Sequence, residues 1–215
     1  MNYPTNPGEP VPQPVLMKEA RQSLSPQWGL VIGTYLVYMI VLTAAGFIPL
    51  GGLFLTGPMG VGFAIFTLKI ARGKHAELSN IFDGFKHFAN ALIAGLLMVL
   101  IVGLGMFLLI IPGIIAALGL SLTFFILADT PEMSGTDALK KSWEMMKGRK
   151  GSLFILGLRF LPWALLCILT LGIGFLWLGP YMQVTYANFY DDVRRQLGEA
   201  LADTTDDITE HLVDG

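Results

Sequence analysis

Charge is what this sequence has least of. Only 14% of its 215 residues are Asp, Glu, Lys or Arg, against about a quarter in soluble domains. From Phe88 to Ala128, 41 residues, there is no charged side chain at all. Cysteine is nearly missing too. Cys167 stands alone, which excludes an intramolecular disulfide and leaves it as a packing residue. Three scattered histidines offer no metal site, and the spacing of His75, Glu77 and Asp83 on a short polar face does not converge. No metal or other cofactor is therefore expected. The chain has no GxSxG elbow, HExxH, Walker motif or paired carboxylates within an apolar segment, so no catalytic residue is assigned and no enzyme is expected. The basic loops lack interleaved aromatics, so no nucleic-acid partner is expected.

The first residues, MNYPTNPGEPVPQPV, lack both the basic start and the apolar stretch of a cleavable signal. Five prolines within residues 1–14 predict a disordered cytoplasmic tail. Residues 196–215 carry six acidic residues and no Lys or Arg, and are expected to continue briefly as a helix and then disorder.

What remains is apolar: 53% of the chain is hydrophobic and the mean hydropathy is +0.62. A helix of 41 residues would be ~60 Å long, twice the ~30 Å hydrocarbon core of a bilayer. The uncharged run therefore reads as two crossings, with Pro112-Gly113 as the turn. Applied to the whole chain, the same rule gives six segments, at about residues 28–48, 53–70, 88–111, 113–128, 152–170 and 175–190. Lone strands cannot satisfy their backbone in lipid, so each crossing is helical. The predicted fold is all-α, a polytopic membrane domain over residues 15–195 with six transmembrane helices arranged as three hairpins. The fourth segment is short for a full crossing.

Three connections, at 46–52, 111–113 and 171–174, are short and uncharged. The other two, 69–87 and 129–150, are long and basic. Placing the amino terminus in the cytoplasm puts thirteen of fourteen Lys and Arg on that side and none outside. By the positive-inside rule both termini are cytoplasmic. The basic face would meet anionic membrane lipids.

Each long connection carries a short amphipathic segment suited to the interface. Leu139, Trp143 and Met146 form one apolar stripe, and Ser134 with Asp137 suggests its cap. Leu78, Phe82 and Phe85 repeat the stripe 61 residues earlier, and residues 15–24 offer a weaker third copy. Gly-Pro recurs at Pro58 and Pro180, early in the second helix of a hairpin. Three units follow, each an interfacial helix plus a hairpin. Pro58, Pro162 and Pro180 would kink their helices, and kinks of this kind line sites in some transporters.

Arg159 is the one cation inside a crossing, and an intramembrane charge is a functional candidate. Asp129 is its expected partner, unless Arg159 snorkels to the interface. Asn90, Tyr186, Asn188 and Tyr190 join them as a candidate polar vestibule for a ligand or lipid. The expected function is a non-enzymatic membrane protein with an adaptor, assembly or stress-related role, binding a protein partner or a second copy of itself. The alternative is a small transporter or lipid-handling protein with an anionic ligand.

The segments LLIIPGII, FFILADTPEMSGTDALKKSWEMMKGRKGSLFIL and LTLGIGFLWLGPYMQVTYANFYDDV resemble the uncharacterised bacterial membrane-protein family DUF975. The resemblance runs over most of residues 15–195. It is strongest around Ser142, Met146, Lys147 and Gly148, and from Leu178, Gly179, Pro180 and Tyr181 to Tyr190. It implies a bacterial cytoplasmic membrane and a multi-helix architecture, and no activity. The chain is also remotely similar to the membrane domains attached to some glycerophosphodiester phosphodiesterases. Those domains lack their partners' catalytic residues, so no hydrolase assignment follows.

Overall fold

The computed structural model describes residues 10–48 and 51–213, with side chains up to residue 198. Nine α-helices occur among them. Helix α1 (Gln13–Leu24) passes through a 3-10 turn (Ser25–Gln27) into α2 (Trp28–Gly46), and α3 (Gly51–Ala71) follows. A ten-residue 3-10 segment (Leu78–His87) leads into α4 (Phe88–Leu108). Then come α5 (Ile110–Leu120), α6 (Thr123–Asp129), α7 (Gly135–Met145), α8 (Lys150–Leu169) and α9 (Phe175–Val213).

Five helical stretches are long and apolar enough to cross a membrane: Gln13–Gly46, Gly51–Ala71, Leu78–Leu108, Ile110–Asp129 and Lys150–Leu169. Their outward faces carry Ile40, Leu100, Leu104, Phe107, Leu161, Leu165 and Ile168, each more than half exposed. Exposed apolar surface on this scale suits lipid and not water. The protein is an all-α, multi-pass membrane protein. The predicted sixth segment, 175–190, is not among these five. Gln183, Asn188, Asp191 and Asp192 make α9 more polar. It is instead deeply packed, with Val184, Thr185, Ala187, Asn188, Phe189, Tyr190, Asp192 and Val193 all buried.

The order short helix, outer helix, inner helix occurs three times. The outer helices α2, α4 and α8 open at Trp28, Phe88 and Lys150, and the inner ones at Gly51, Ile110 and Phe175. The inner helices α3, α6 and α9 pack in the middle, α3 touching both others. Each inner helix also packs on the short and outer helices of the next unit. Thus α3 meets the 3-10 segment and α4, α5 and α6 meet α7, and α9 closes the ring on α1 and α2.

Small residues set how close these neighbours come. A Cβ on Gly62 would overlap the Ile81 carbonyl, and one on Gly84 would overlap the Pro58 carbonyl. The 3-10 segment therefore lies backbone to backbone on α3. Asn80, Ile81 and Gly84 face inward, whereas Leu78 and Phe82 are 38% and 44% exposed. Phe85 is half-buried and stacks on Phe88. The predicted stripe is thus its outward, lipid-facing side. Leu139 of α7 and Met146 just after it are buried, whereas Trp143 is partly exposed beneath the Lys150 ammonium, 3.3 Å from the ring centroid. Ser134 caps α7 as expected, accepting the Asp137 N–H at 3.2 Å.

Three boundaries differ from expectation. The chain reverses at Leu109, which is extended (φ −156°, ψ 131°), and Pro112-Gly113 is not the turn. Pro112 lies in the first turn of α5, where a missing N–H costs nothing. Gly113 allows α4 and α5 to meet closely at Gly105 and Met106. The fourth segment is broken at Ser121-Leu122 into α5 and α6. Finally, the predicted tail 1–14 is docked where it is described: Val11 is buried and its N–H donates to Asp192 Oδ2 at 3.1 Å, and Gln13 opens α1. Residues 1–9 lie outside the described residues, as do 214–215 of the acidic segment, whose helical backbone runs to Val213.

Candidate functional site

The ends of α3 and α6 meet the middle of α9 in an ionic knot. Arg72, just past α3, donates to both oxygens of Asp129 at the end of α6 (2.7 and 2.8 Å) and to both oxygens of Asp191 on α9 (3.0 and 2.6 Å). A guanidinium fork matches a carboxylate in this bidentate way. Hydrogen bonds to Asp129 and then Asp191 raise the Arg72 pKa further above its ordinary value. Asp129 also accepts from Arg194 (2.6 Å) and from the Tyr190 hydroxyl (3.2 Å). Two arginines face two aspartates, so the knot is neutral. It ties three chain segments together where each alone would leave a charge near the bilayer.

Next to the knot lies a cavity of about 520 Å³, bounded by α2, α3, α5, α6, α8 and α9, with Met106 of α4. Phe125 lines it and stacks on Tyr190 (centroids 5.7 Å apart), which links the cavity to the knot. Most of its wall is aromatic or aliphatic, and no charged side chain lines it. Thr56 and Ser121 also line it, with their hydroxyls donating to the Gly52 and Leu118 carbonyls, and Tyr38, Gln183 and Tyr186 supply further polar groups. The side chains of Tyr38, Gln183 and Tyr186 have no hydrogen-bond partner among the described residues. Leu158 is also in the wall, and the Pro162 ring deprives its carbonyl of the usual helical donor. Tyr38 stacks on Phe63 (4.6 Å) and Tyr186 lies edge-on to Phe160 (6.3 Å), so both rings are held in place.

The residues grouped from the sequence fall into different places. Asp129 and Tyr190 are in the knot, and Tyr186 is in the cavity. Asn90 is apart from both, its amide donating to the Pro131 carbonyl at 3.3 Å. Asn188 is buried and donates to the Leu16 carbonyl at 3.2 Å, which pins α1 to α9. The expected pairing of Arg159 with Asp129 is not formed: Asp129 is occupied by Arg72, Arg194 and Tyr190. Arg159 is exposed on α8 and makes no ion pair among the described residues. It lines a separate groove of about 420 Å³ with residues 10–14, Arg149, Asp192 and Gln196. In that groove Gln13 donates to the Ser152 carbonyl (3.0 Å) and Arg149 to Gln196 (3.2 Å). Asp192 is already engaged by the Val11 N–H, Gln196 and Arg195.

Arg72, Asp191, Tyr38 and Gln183 were not singled out in the sequence. Arg72 and Arg194 look there like two more cations of the positive-inside pattern. The repeat would have linked them, because they occupy equivalent positions of the first and third units. Among the described residues, no group of three or more His, Cys, Asp or Glu is placed to hold a metal ion.

Residues 106–197 match the family DUF975, described as a protein of unknown function. The matched stretch takes in α5 to α8, the knot carboxylates Asp129 and Asp191, and the cavity residues Gln183 and Tyr186. No curated protein and no solved structure matches the chain at a significant level.

Proposed function

We propose that this is a non-enzymatic lipid-binding protein of a bacterial cytoplasmic membrane, which holds an anionic lipid headgroup at Arg159. The observation that carries this reading is an arginine in the apolar helix α8 with no ion pair among the described residues. Ten residues beyond Arg149, it stands ~15 Å further along the helix. Insertion scales put an arginine at the centre of a membrane helix at about 2.5–3.5 kcal/mol, so it needs a counter-charge or a route to water. Cα–Cβ bonds on a helix tilt toward its N-terminus, which in α8 is the basic, cytoplasmic end. The side chain therefore leans toward the inner-leaflet phosphates. Asp192, in the same groove, is engaged by Arg195, so a lipid phosphate is the natural partner.

This reading rests on six crossings in three hairpins with both termini cytoplasmic, α9 being the sixth. Its polar residues are tolerable because its neighbours bury them. Purified with mild detergent, the wild-type protein should retain phosphatidylglycerol in native mass spectra. Arg159→Leu should lose it while folding normally, and Arg159→Lys should keep part of it. Equal retention in Arg159→Leu would leave Arg159 as a snorkelling residue and end this reading.

An adaptor role draws on one observation of its own. At 39 residues, α9 is ~58 Å long, far more than a bilayer needs, so its acidic end projects from the membrane as a helix. A protein partner would meet the molecule there.

A further inference from the structure

The cavity lies where the threefold arrangement is broken. Inner helices meet the next unit's outer helix through glycine in two cases. Gly57 of α3 lies against the α4 backbone at Ala91, and Gly179 of α9 lies against Tyr35 of α2. At the equivalent place in the second unit, 61 residues from each, stands Leu118. Leu118 lines the cavity, between α5 and α8. A side chain where the other seams have none keeps this seam from closing. The seam is open sideways, because Phe154 and Leu158 both line the cavity and are 45% and 47% exposed on the lipid-facing surface of α8.

We infer that this seam cavity is a second lipid site, distinct from the Arg159 groove, and that it takes an uncharged lipid bearing ester or hydroxyl groups, of the diacylglycerol class. Three arguments converge on that class. An opening onto hydrocarbon admits an acyl chain more readily than a water-soluble solute, and the aromatic and aliphatic wall suits such a chain. Its volume falls within the roughly 300–1,000 Å³ of ordinary ligand pockets. Tyr38, Gln183 and Tyr186 together offer two hydroxyls and a carboxamide with no protein partner. Polar groups left unpaired at membrane depth are costly, and an ester carbonyl or a hydroxyl would satisfy them. A phosphate would not, since no cation lines the wall and a buried uncompensated charge is penalised far more than a neutral dipole. The polar groups thus select against the anionic lipids that suit Arg159.

Photo-cross-linking tests this directly. The protein is reconstituted in vesicles of phosphatidylethanolamine and phosphatidylglycerol. These are doped either with a diazirine-bearing diacylglycerol or with a phosphatidylglycerol carrying the same diazirine. The diacylglycerol adducts should map to α5, α8 and α9 peptides that line the cavity, well above the phosphatidylglycerol signal there. Gly157→Leu fills the space: a Cβ at Gly157 meets only the Tyr186 hydroxyl, at 3.9 Å. It should reduce the cavity adducts about tenfold. Tyr186→Phe combined with Gln183→Leu removes atoms that have no protein partner, so it should leave thermal stability unchanged. It should weaken diacylglycerol labelling about tenfold, the loss of one or two hydrogen bonds. Equal labelling of the cavity by the phosphatidylglycerol probe, or wild-type labelling in both variants, overturns the inference. Retention of anionic lipid at Arg159 is read independently of these adducts, so failure of one site leaves the other standing.

Discussion

Arg72 and Arg194 hold equivalent positions two repeats apart, and both donate to the single carboxylate of Asp129. They are not equal partners. Arg72 is 24% exposed and grips two aspartates, whereas Arg194 is 60% exposed and grips one. Removing Arg72 leaves Asp191 without this partner and Asp129 with only Arg194 and Tyr190. We expect Arg72→Met to cost about 2–4 kcal/mol, near the range for breaking a largely buried pair. Arg194→Met should cost under ~1 kcal/mol, as exposed pairs do. Thermal unfolding in a fixed detergent ranks the two variants, and an equal loss would mean that the knot carries little of the packing between α3, α6 and α9.

Glycine is decisive where backbones touch and neutral where they do not. At Gly62 and Gly84 an added methyl overlaps carbonyl oxygens, with no flexible side chain to yield. Gly62→Ala and Gly84→Ala should each destabilise by about 1–3 kcal/mol, the cost of overpacking. Gly33, in α2, has nothing within 4 Å of a built Cβ. Gly33→Ala should be neutral or slightly stabilising, since alanine is the better helix former. Melting temperatures of the three variants decide the matter.

The outline of the fold was legible because bilayer thickness, charge asymmetry and helix rise are one-dimensional constraints. Residues 88–111 and 152–170 therefore fell close to α4 and α8. The errors arose where two physical readings share one sequence. Pro-Gly marks a turn, yet proline also fits the first turn of a helix, and Pro112 does the latter. The stripe of Leu78 and Phe82 reads as the apolar side of an interfacial helix and is the exposed side of the 3-10 segment. The opposite side, chosen by Gly84 and Ile81, lies backbone to backbone on α3, a contact that hydropathy does not record. Asp129 was noticed but paired with the wrong arginine, because partner choice depends on which helix ends converge. The 61-residue offset relates Arg72 to Arg194, but Asp129 stands four residues short of the position midway between them, so the offset alone does not pair it with either.

Topology separates six crossings from five. Reporter fusions at residues 112 and 172 should report the outer side, and those at 140 and 198 the cytoplasm. The informative pair is 172 and 198, which flank the inner part of α9. Opposite reports would make α9 a crossing despite Gln183 and Asn188, its polar residues being sheltered by the bundle. Reports of the same side would leave the carboxy terminus outside and reduce the arrangement to five crossings.

Ser142 is the last test, because it connects a surface helix to the break in the fourth segment. Its side chain is fully buried. The hydroxyl donates to the Gly119 carbonyl at 2.9 Å and accepts the Leu122 N–H at 3.2 Å. Those backbone groups lie at the joint between α5 and α6, where the helical ladder is interrupted at Ser121-Leu122. One serine thus satisfies both sides of a helix break at a depth where water is scarce. Ser142→Ala removes both bonds and strands a buried N–H and carbonyl, which should cost about 1–3 kcal/mol. Ser142→Cys keeps the volume close and only a weak donor, and should fall between alanine and wild type. The loss should concentrate locally, seen as faster amide hydrogen exchange at residues 119–123 than in α3. If Ser142→Ala exchanges like the wild type at these amides, the break is held by packing alone. The hydroxyl would then be incidental to it.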